Sequence, residues 1–133
     1  MYVLDTNIVS YWMRGDISVI GRIRSHSPAD LSMAAITLAE ILYGIEKSAD
    51  RKRERLGKID RITSLLQVHP FDEEAAEQYA IVRAALEVEG NAMSERDTQI
   101  AAVALTHEST VVTHNTREFR RVAGLQVEDW AKA

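Results

Sequence analysis

Apolar residues are spaced along the chain in two alternating patterns. Five short segments without helical spacing, beginning with the apolar run Tyr2–Leu4, are predicted to be strands. They cover residues 2–4, 31–33, 67–69, 110–113 and 125–127. In the intervening segments, apolar residues recur every three or four positions, which predicts helices with one buried face. The helices cover residues 7–13, 17–26, 37–48, 50–66, 72–89 and 94–107, where the last two ranges start at their N-cap residues.

This alternation of strands and helices predicts one α/β domain, residues 1–133, arranged as a sandwich on a mostly parallel sheet. A chain of 133 residues, of which 46% are hydrophobic, is long and apolar enough to bury a core. Ligands of open parallel sheets bind beyond the carboxyl ends of the strands. Asp5 ends the first strand, and residues 113–115 end the fourth. We therefore expect Asp5 and the segment 113–115 to lie at the same edge of the sheet.

Composition narrows the class of protein further. Cysteine is absent, which excludes disulfide frameworks and thiolate metal sites and is compatible with a reducing cytosol. No segment approaches the roughly 20 apolar residues that span a bilayer, and no basic stretch precedes an apolar run at the N-terminus. A cytoplasmic protein without a membrane partner is therefore expected.

Charge is unevenly distributed along the chain. The net charge of -4 argues against a large nucleic-acid footprint. Residues 46–61 nevertheless carry seven Lys or Arg side chains against four acids. This segment is either a local basic face or a solvated helix with ion pairs between residues four apart, such as Glu54 with Lys58.

Two acids stand at predicted boundaries, where each has a structural and a functional interpretation. Asp5 could be the N-cap of the helix that follows, a role that Thr6 could also fill. It could equally be catalytic, because the end of a parallel strand is a common catalytic position. Glu40 is the last residue of the sequence 37–40, Thr-Leu-Ala-Glu, which fits a capping box. The spacing alone leaves both interpretations of Glu40 open.

Asp97 lies in the first turn of a predicted helix, where Ser94 and Asp97 could form a second capping box. It also shares a helical face with Ile100, Ala101 and Ala104, the face expected to pack on the sheet. An acid on that face points inward at a helix N-terminus, where the helix dipole stabilises negative charge. This position favours a functional role.

Polar and charged residues also follow the fourth strand. Glu118 could be a site residue or the partner of Arg121 in a surface ion pair. The four histidines show no metal-ligand spacing, and His114 is at most a candidate phosphate contact beside the site.

Three blocks, distributed between residues 2 and 130, resemble the PIN domain family and in particular its VapC-type toxin branch. The blocks are YVLDTNIVSY, SMAAITLAEILYGIEKS and SERDTQIAAVALTHESTVVTHNTREFRRVAGLQVEDW. The resemblance implies a PIN-like three-layer sandwich around a five-stranded sheet, with acids gathered at the carboxyl edge of its strands. It matches Asp5, Glu40 and Asp97 to the three central acids of the family.

The fourth acid departs from the family pattern. Many members carry Asp where this chain has Asn115. The T-x-N-x-x-E-F form of the motif implies that Glu118 supplies the fourth carboxylate, while Asn115 orients a ligand or water. Thr6 is expected to support the same site.

Carboxylates gathered in one pocket repel one another and need cations. Oxygen ligands without His or Cys select hard ions, Mg²⁺ or Mn²⁺. The expected roles are metal binding by Asp5 and Asp97, with Glu40 and Glu118 completing the cluster or positioning the attacking water. The resemblance then implies a metal-dependent endoribonuclease toxin that hydrolyses RNA phosphodiester bonds, forms a homodimer and is neutralised by a small antitoxin.

The same residues argue against two other functions of small α/β domains. A receiver-like phosphoacceptor would need an acidic pair after the first strand, which here ends in the single acid Asp5. A phosphatase of the haloacid dehalogenase type would need Asp where Asn7 stands. A non-catalytic PIN-like module that binds an antitoxin and DNA is the remaining alternative, and the three central acids count against it.

Overall fold

Five short strands form one sheet at the centre of the protein. The computed structural model describes residues 1–131. Its strands are β1 Tyr2–Leu4, β2 Leu31–Ala34, β3 Gln67–His69, β4 Thr110–Val112 and β5 Val127–Glu128. The α-helices of this part of the chain are α1 Thr6–Met13, α2 Ile17–Arg24, α3 Ala35–Lys47, α4 Lys52–Leu65, α5 Glu73–Val88, α6 Glu95–Thr106 and α7 Thr116–Phe119. A short 3₁₀ turn, Pro28–Asp30, leads into β2.

The strands follow the order β3-β2-β1-β4-β5, and every neighbouring pair is parallel. The sheet was predicted to be mostly parallel, and between these five strands it is entirely so. Parallel neighbours need a crossover connection, which accounts for the helices that separate successive strands. β1 lies in the middle, where Leu4 pairs with Met33 of β2 on one side and Val112 of β4 on the other.

Helices cover both faces of the sheet, as the three-layer prediction requires. Successive side chains of β1 point to opposite faces. Leu4 packs in a core with residues of α1, α2, α3 and α4, whereas Val3 packs in a second core with residues of α5 and α6. Both strand residues are completely buried.

The start of α3 differs from its prediction. The helix begins at Ala35 instead of residue 37, and the N-cap residue Ala34 makes no side-chain hydrogen bond. Thr37 is already inside the first turn and is buried. The capping-box interpretation of Glu40 is therefore wrong. The reason is that β2 continues through Ala34 as a fully buried strand and turns directly into the helix.

The last strand is Val127–Glu128 instead of residues 125–127. It is defined by pairing with β4, in which Val111 lies beside Val127 and Val112 beside Glu128. The amide of Leu125 instead donates to the carbonyl of Val122, 3.3 Å away, in a preceding turn. The other boundaries lie within two residues of their predicted positions, the usual uncertainty at element ends.

The short helix α7 was not predicted. Phe119 at its end is completely buried in the core beneath α5 and α6, and this contact anchors the helix against the sheet. The anchor places Glu118 close to the end of β4. No helix within residues 1–131 has the length and apolar character needed to cross a membrane.

Candidate active site

A cleft of about 420 Å³ lies at the carboxyl edge of the central strands. The order of the strands reverses here, because β1 is followed by β2 on one side and flanked by β4 on the other. Such a reversal opens a crevice between neighbouring loops. The lining residues are Asp5, Thr6, Asn7, Glu40, Ser94, Glu95, Arg96, Asp97 and Asn115. The fold therefore brings together five of the six predicted site residues from four separate segments of the chain.

Asp5 is the N-cap of α1 and also lines the cleft. Its Oδ1 accepts a hydrogen bond of 3.0 Å from the amide of Ile8, so Asp5, and not Thr6, is the N-cap of α1. The side chain is almost completely buried, with 4% of the residue exposed. Burial raises the pKa of Asp5 to about 6, against the lowering effects of the Thr113 hydroxyl and the Ile8 amide. Asp97 and Glu40 add smaller contributions that also raise this pKa.

Glu40 projects from α3 and is held by two neighbours. The Thr6 hydroxyl donates to Oε1 over 2.8 Å, and Nη1 of Arg96 lies 3.5 Å from Oε2. Because the Arg96 side chain is 68% exposed, the ion pair contributes only about 0–1 kcal/mol to stability. Its effect is local, since it places one positive charge among the carboxylates of the cleft.

The contacts of Arg96 and Thr113 with the acids of the cleft were not predicted, although the segment 113–115 was expected at the same edge of the sheet as Asp5. A cation in the first turn of a helix opposes the helix dipole. Such a cation is favourable only if an anion from another element lies nearby. Arg96 in the first turn of α6 therefore indicated that a carboxylate lies close to its side chain. Thr113 is completely buried directly after β4 and touches Asp5. Only its position at the end of a strand beside the site could have indicated this contact.

Asp97 lies in the first turn of α6 and faces the cleft, as its helical face predicted. Ser94 is the N-cap, because its Oγ accepts the Asp97 amide at 3.2 Å. The reciprocal bond of a capping box is made by a different acid, since the Ser94 amide donates to Oε1 of Glu118 over 3.4 Å. Burial, followed by the nearby charge of Glu118 and of Glu40, raises the pKa of Asp97, while a hydrogen bond with Ser94 lowers it.

Glu118 is beside the cleft but is not one of the residues that line it. Its carboxylate accepts hydrogen bonds from the amide side chain of Asn115 and from the backbone of Ser94. The surface pair with Arg121 is not present within residues 1–131, where the Arg121 guanidinium instead donates to the carbonyl of Ala92 at 3.3 Å. Glu118 thus links α7 to the start of α6 and fixes Asn115 at the rim.

The composition of the cleft suits a hard divalent cation. Asp5 and Asp97 both have a raised pKa, which means that the protein around them disfavours their negative charges. All candidate ligands are oxygens, the donor set that Mg²⁺ and Mn²⁺ prefer. No group of three or more acidic or histidine side chains in residues 1–131 is arranged as a ready-made ligand set. Mg²⁺ commonly binds through one or two carboxylates and retains water, so Asp5 and Asp97 fit this requirement.

A second groove, of about 510 Å³, adjoins the cleft and shares Thr6 and Glu40 with it. It contains part of the basic segment 46–61. Two of these cations form ion pairs within the protein. Lys52 pairs with Glu46 at 2.9 Å, and Lys58 pairs with Glu54 at 3.6 Å. The guanidinium of Arg55 donates to carbonyls at the end of α3. The ion-paired interpretation therefore holds for Lys52 and Lys58, whereas Arg55 bonds to the backbone of the preceding helix.

Comparison with known proteins places these features in a family. Residues 2–125 match the sequence pattern of the PIN domain. The chain is 33% identical over 130 residues to the tRNA(fMet)-specific endonuclease VapC of Shigella flexneri, covering 98% of each chain. It is also 33% identical over 130 residues to the ribonuclease VapC2 of Haemophilus influenzae, covering 97% of each. The crystal structure of VapBC2 from Rickettsia felis, bound to a promoter DNA fragment, superposes with a TM-score of 0.90 at 30% identity, covering 97% of this chain and 98% of that one.

Proposed function

This chain belongs to the PIN domain family, and we propose that it is an endoribonuclease toxin neutralised by an antitoxin. The observation that carries this function is the juxtaposition of Asp5, Glu40 and Asp97 in one cleft at the carboxyl edge of the sheet. The similarity extends over nearly the full length of the VapC relatives, so it includes every segment that contributes to the cleft. The first substrate to test is tRNA(fMet), which the name of the Shigella flexneri relative specifies.

The reaction would depend on a divalent cation, Mg²⁺ or Mn²⁺, held by Asp5 and Asp97. Such a cation supplies a Lewis acid that makes water a stronger nucleophile and stabilises charge on the leaving oxygen of a phosphodiester. Binding the cation would favour the charged forms of both carboxylates, whose pKa values are raised in its absence. Metal binding should consequently be weaker at pH values below about 6, where Asp5 holds its proton.

The remaining residues of the cleft would orient the reactants. Glu40, which Thr6 and Arg96 hold, would accept a hydrogen bond from the attacking water. Glu118 supplies the fourth negative charge and, through its hydrogen bond, fixes the amide of Asn115 toward the cleft. The role of Asn115 is then to orient water or an RNA oxygen.

The antitoxin would occupy the groove beside the cleft. The floor of this groove includes Met13, Ile41 and Ile45, and its rim is charged. An amphipathic helix fits such a surface, with its apolar face on the floor. Because the groove shares Thr6 and Glu40 with the cleft, a basic side chain of that helix could reach the acids. We also propose a homodimeric, cytoplasmic toxin, as the family resemblance implies.

RNA cleavage by the purified chain tests this function. With Mg²⁺, the chain should cut tRNA(fMet) or another RNA of a total cellular preparation, and EDTA should stop the reaction. Asp97→Asn serves as the control against a contaminating nuclease. A non-catalytic module that only binds an antitoxin and DNA would leave all RNA intact. Expression of the chain alone should also arrest growth, and unaffected growth at confirmed soluble levels would contradict the toxin function.

A further inference from the structure

An aromatic and cationic strip lies on the protein surface next to the cleft. It consists of Tyr11, Arg14 and His114, with Asp129 behind the histidine. The guanidinium carbon of Arg14 lies 4.9 Å from the centre of the Tyr11 ring. The His114 ring stands edge to face with Tyr11, with 6.1 Å between ring centres and an angle of 75° between planes.

The strip is continuous with the cleft along two elements. Tyr11 is four residues beyond Asn7 in α1, so it lies on the same helical face as a residue that lines the cleft. His114 directly precedes Asn115, which also lines the cleft. Arg14 lines the adjoining groove. A strand that leaves the cleft on this side therefore passes over the strip.

The His114 ring is both fixed and accessible. Its Nδ1 lies 3.0 Å from Oδ2 of Asp129, and the His114 side chain is 53% exposed. Asp129 is itself held, because its Oδ1 accepts the amide of Ala131 over 2.9 Å and its side chain is only 15% exposed. An aromatic ring immobilised in this way presents a flat surface at little cost in conformational entropy.

Arg14 supplies an unneutralised positive charge on this surface. The residue is exposed, and it forms no ion pair with a carboxylate of residues 1–131. A polyanion that must approach four carboxylates needs compensating cations at the rim of the cleft. Arg14 is therefore suited to contact a phosphate of the nucleotide next to the one being cut.

We propose that this strip binds an unpaired nucleotide of the RNA that flanks the scissile phosphate, an inference that rests on the proposed ribonuclease function. The base stacks on the exposed face of the His114 ring, which Tyr11 supports edge to face, and Arg14 contacts the backbone phosphate. Stacking on aromatic rings with cations alongside is how proteins hold single-stranded nucleic acid without reading its sequence. The substrate class is thus RNA that is single-stranded beside the cleavage site, such as a loop.

Binding measurements in an Asp97→Asn background, which removes cleavage, test the proposal. The probe is a fluorescein-labelled single-stranded RNA of mixed sequence, followed by anisotropy. His114→Ala should weaken binding about tenfold, as the loss of one stacked base does. Arg14→Gln should reduce the slope of log Kd against log salt by about 0.7, the value for one phosphate contact of a single strand. Tyr11→Leu, chosen because the ring is partly buried, should behave as His114→Ala does.

The chain contains a matched control on another surface. In α5, the Arg83 guanidinium donates to the Tyr79 hydroxyl at 3.0 Å and lies 6.0 Å from the ring centre. Tyr79→Leu and Arg83→Gln should leave RNA binding unchanged, and duplex RNA should bind equally to all variants at the stacking positions.

The possible outcomes distinguish the proposed RNA-binding strip from the proposed ribonuclease function. If His114→Ala and Arg14→Gln bind the probe as tightly as the α5 variants do, the strip is not an RNA site. Variants that lose antitoxin binding but keep RNA binding would overturn the proposal in favour of a protein interface. If the unmutated chain with Mg²⁺ cuts no RNA, the proposed function fails whatever the binding data give. In active protein, the same substitutions should raise KM with little change in kcat.

Discussion

Replacing Asp5 by Asn should stabilise the metal-free protein while abolishing cleavage. Asn keeps an oxygen that can accept the amide of Ile8, and Asn and Asp are about equally good N-caps. The substitution therefore removes the buried negative charge without removing the cap.

The size of the effect follows from the pKa of Asp5, which is about 6 in the folded protein and 3.8 ordinarily. Between these values the native state binds the proton more tightly than the unfolded state, so metal-free stability falls as the pH rises through this window. Each pH unit is equivalent to about 1.4 kcal/mol, so the penalty above pH 6 is about 3 kcal/mol. At pH 8 we expect Asp5→Asn to raise the melting temperature by roughly 10 °C in a domain of this size.

Thermal unfolding in EDTA between pH 4 and pH 8 measures this difference. The increase in melting temperature caused by Asp5→Asn should become steadily smaller below pH 6 and should nearly vanish at pH 4. Asp72→Asn is the matched control, because exposed Asp72 caps α5 through the same 3.0 Å bond to Ala75 but lies outside the cleft. The reasoning is refuted if Asp5→Asn melts at a lower temperature than the unmutated protein at pH 8, or if the difference in melting temperature does not change with pH.

Other substitutions test the rest of the site. Asp97→Asn should abolish cleavage with an unchanged or higher metal-free melting temperature, because it removes a negative charge that burial and, to a smaller extent, Glu118 disfavour. Lower stability with activity retained would make Asp97 only structural. Glu118→Gln should lower kcat at saturating Mg²⁺ more than Asn115→Ala does, and a kcat equal to that of the unmutated enzyme would leave only three acids. His69→Phe should improve stability below pH 6.5. Burial and His107 lower the pKa of His69, and both of its nitrogens lack partners within residues 1–131, so protonation of His69 costs the folded state stability. A midpoint of acid unfolding equal to that of the unmutated protein would contradict this.

Local patterns were sufficient to predict the architecture. The short strand Tyr2–Leu4 and the apolar stripes of the helices are properties of neighbouring residues, and they required a parallel sheet with helices on both faces. The inward direction of Asp97 followed from the period of one helix. Asp5 was predictable for the same reason, because the end of a buried parallel strand has a fixed relation to the edge of the sheet.

Features that depend on distant segments needed the tertiary structure. A capping box of Ser94 with Asp97 was one possibility, and the Asp97 amide does donate to Ser94 Oγ. The reciprocal bond from the Ser94 amide goes to Glu118, on α7, which Phe119 anchors. Likewise, the pairing of Arg96 with Glu40 joins residues of two helices that meet only in the folded chain.

Local sequence patterns were enough to show where the central strand β1 ends, and therefore at which edge of the sheet Asp5 lies. Only the tertiary structure decided which polar groups share hydrogen bonds there, and that His114 is held by Asp129 beside Tyr11. The physical reason is that helical and strand periods are set by the backbone over a few residues. A hydrogen bond or a pKa depends on distances of a few ångströms between segments far apart in the chain.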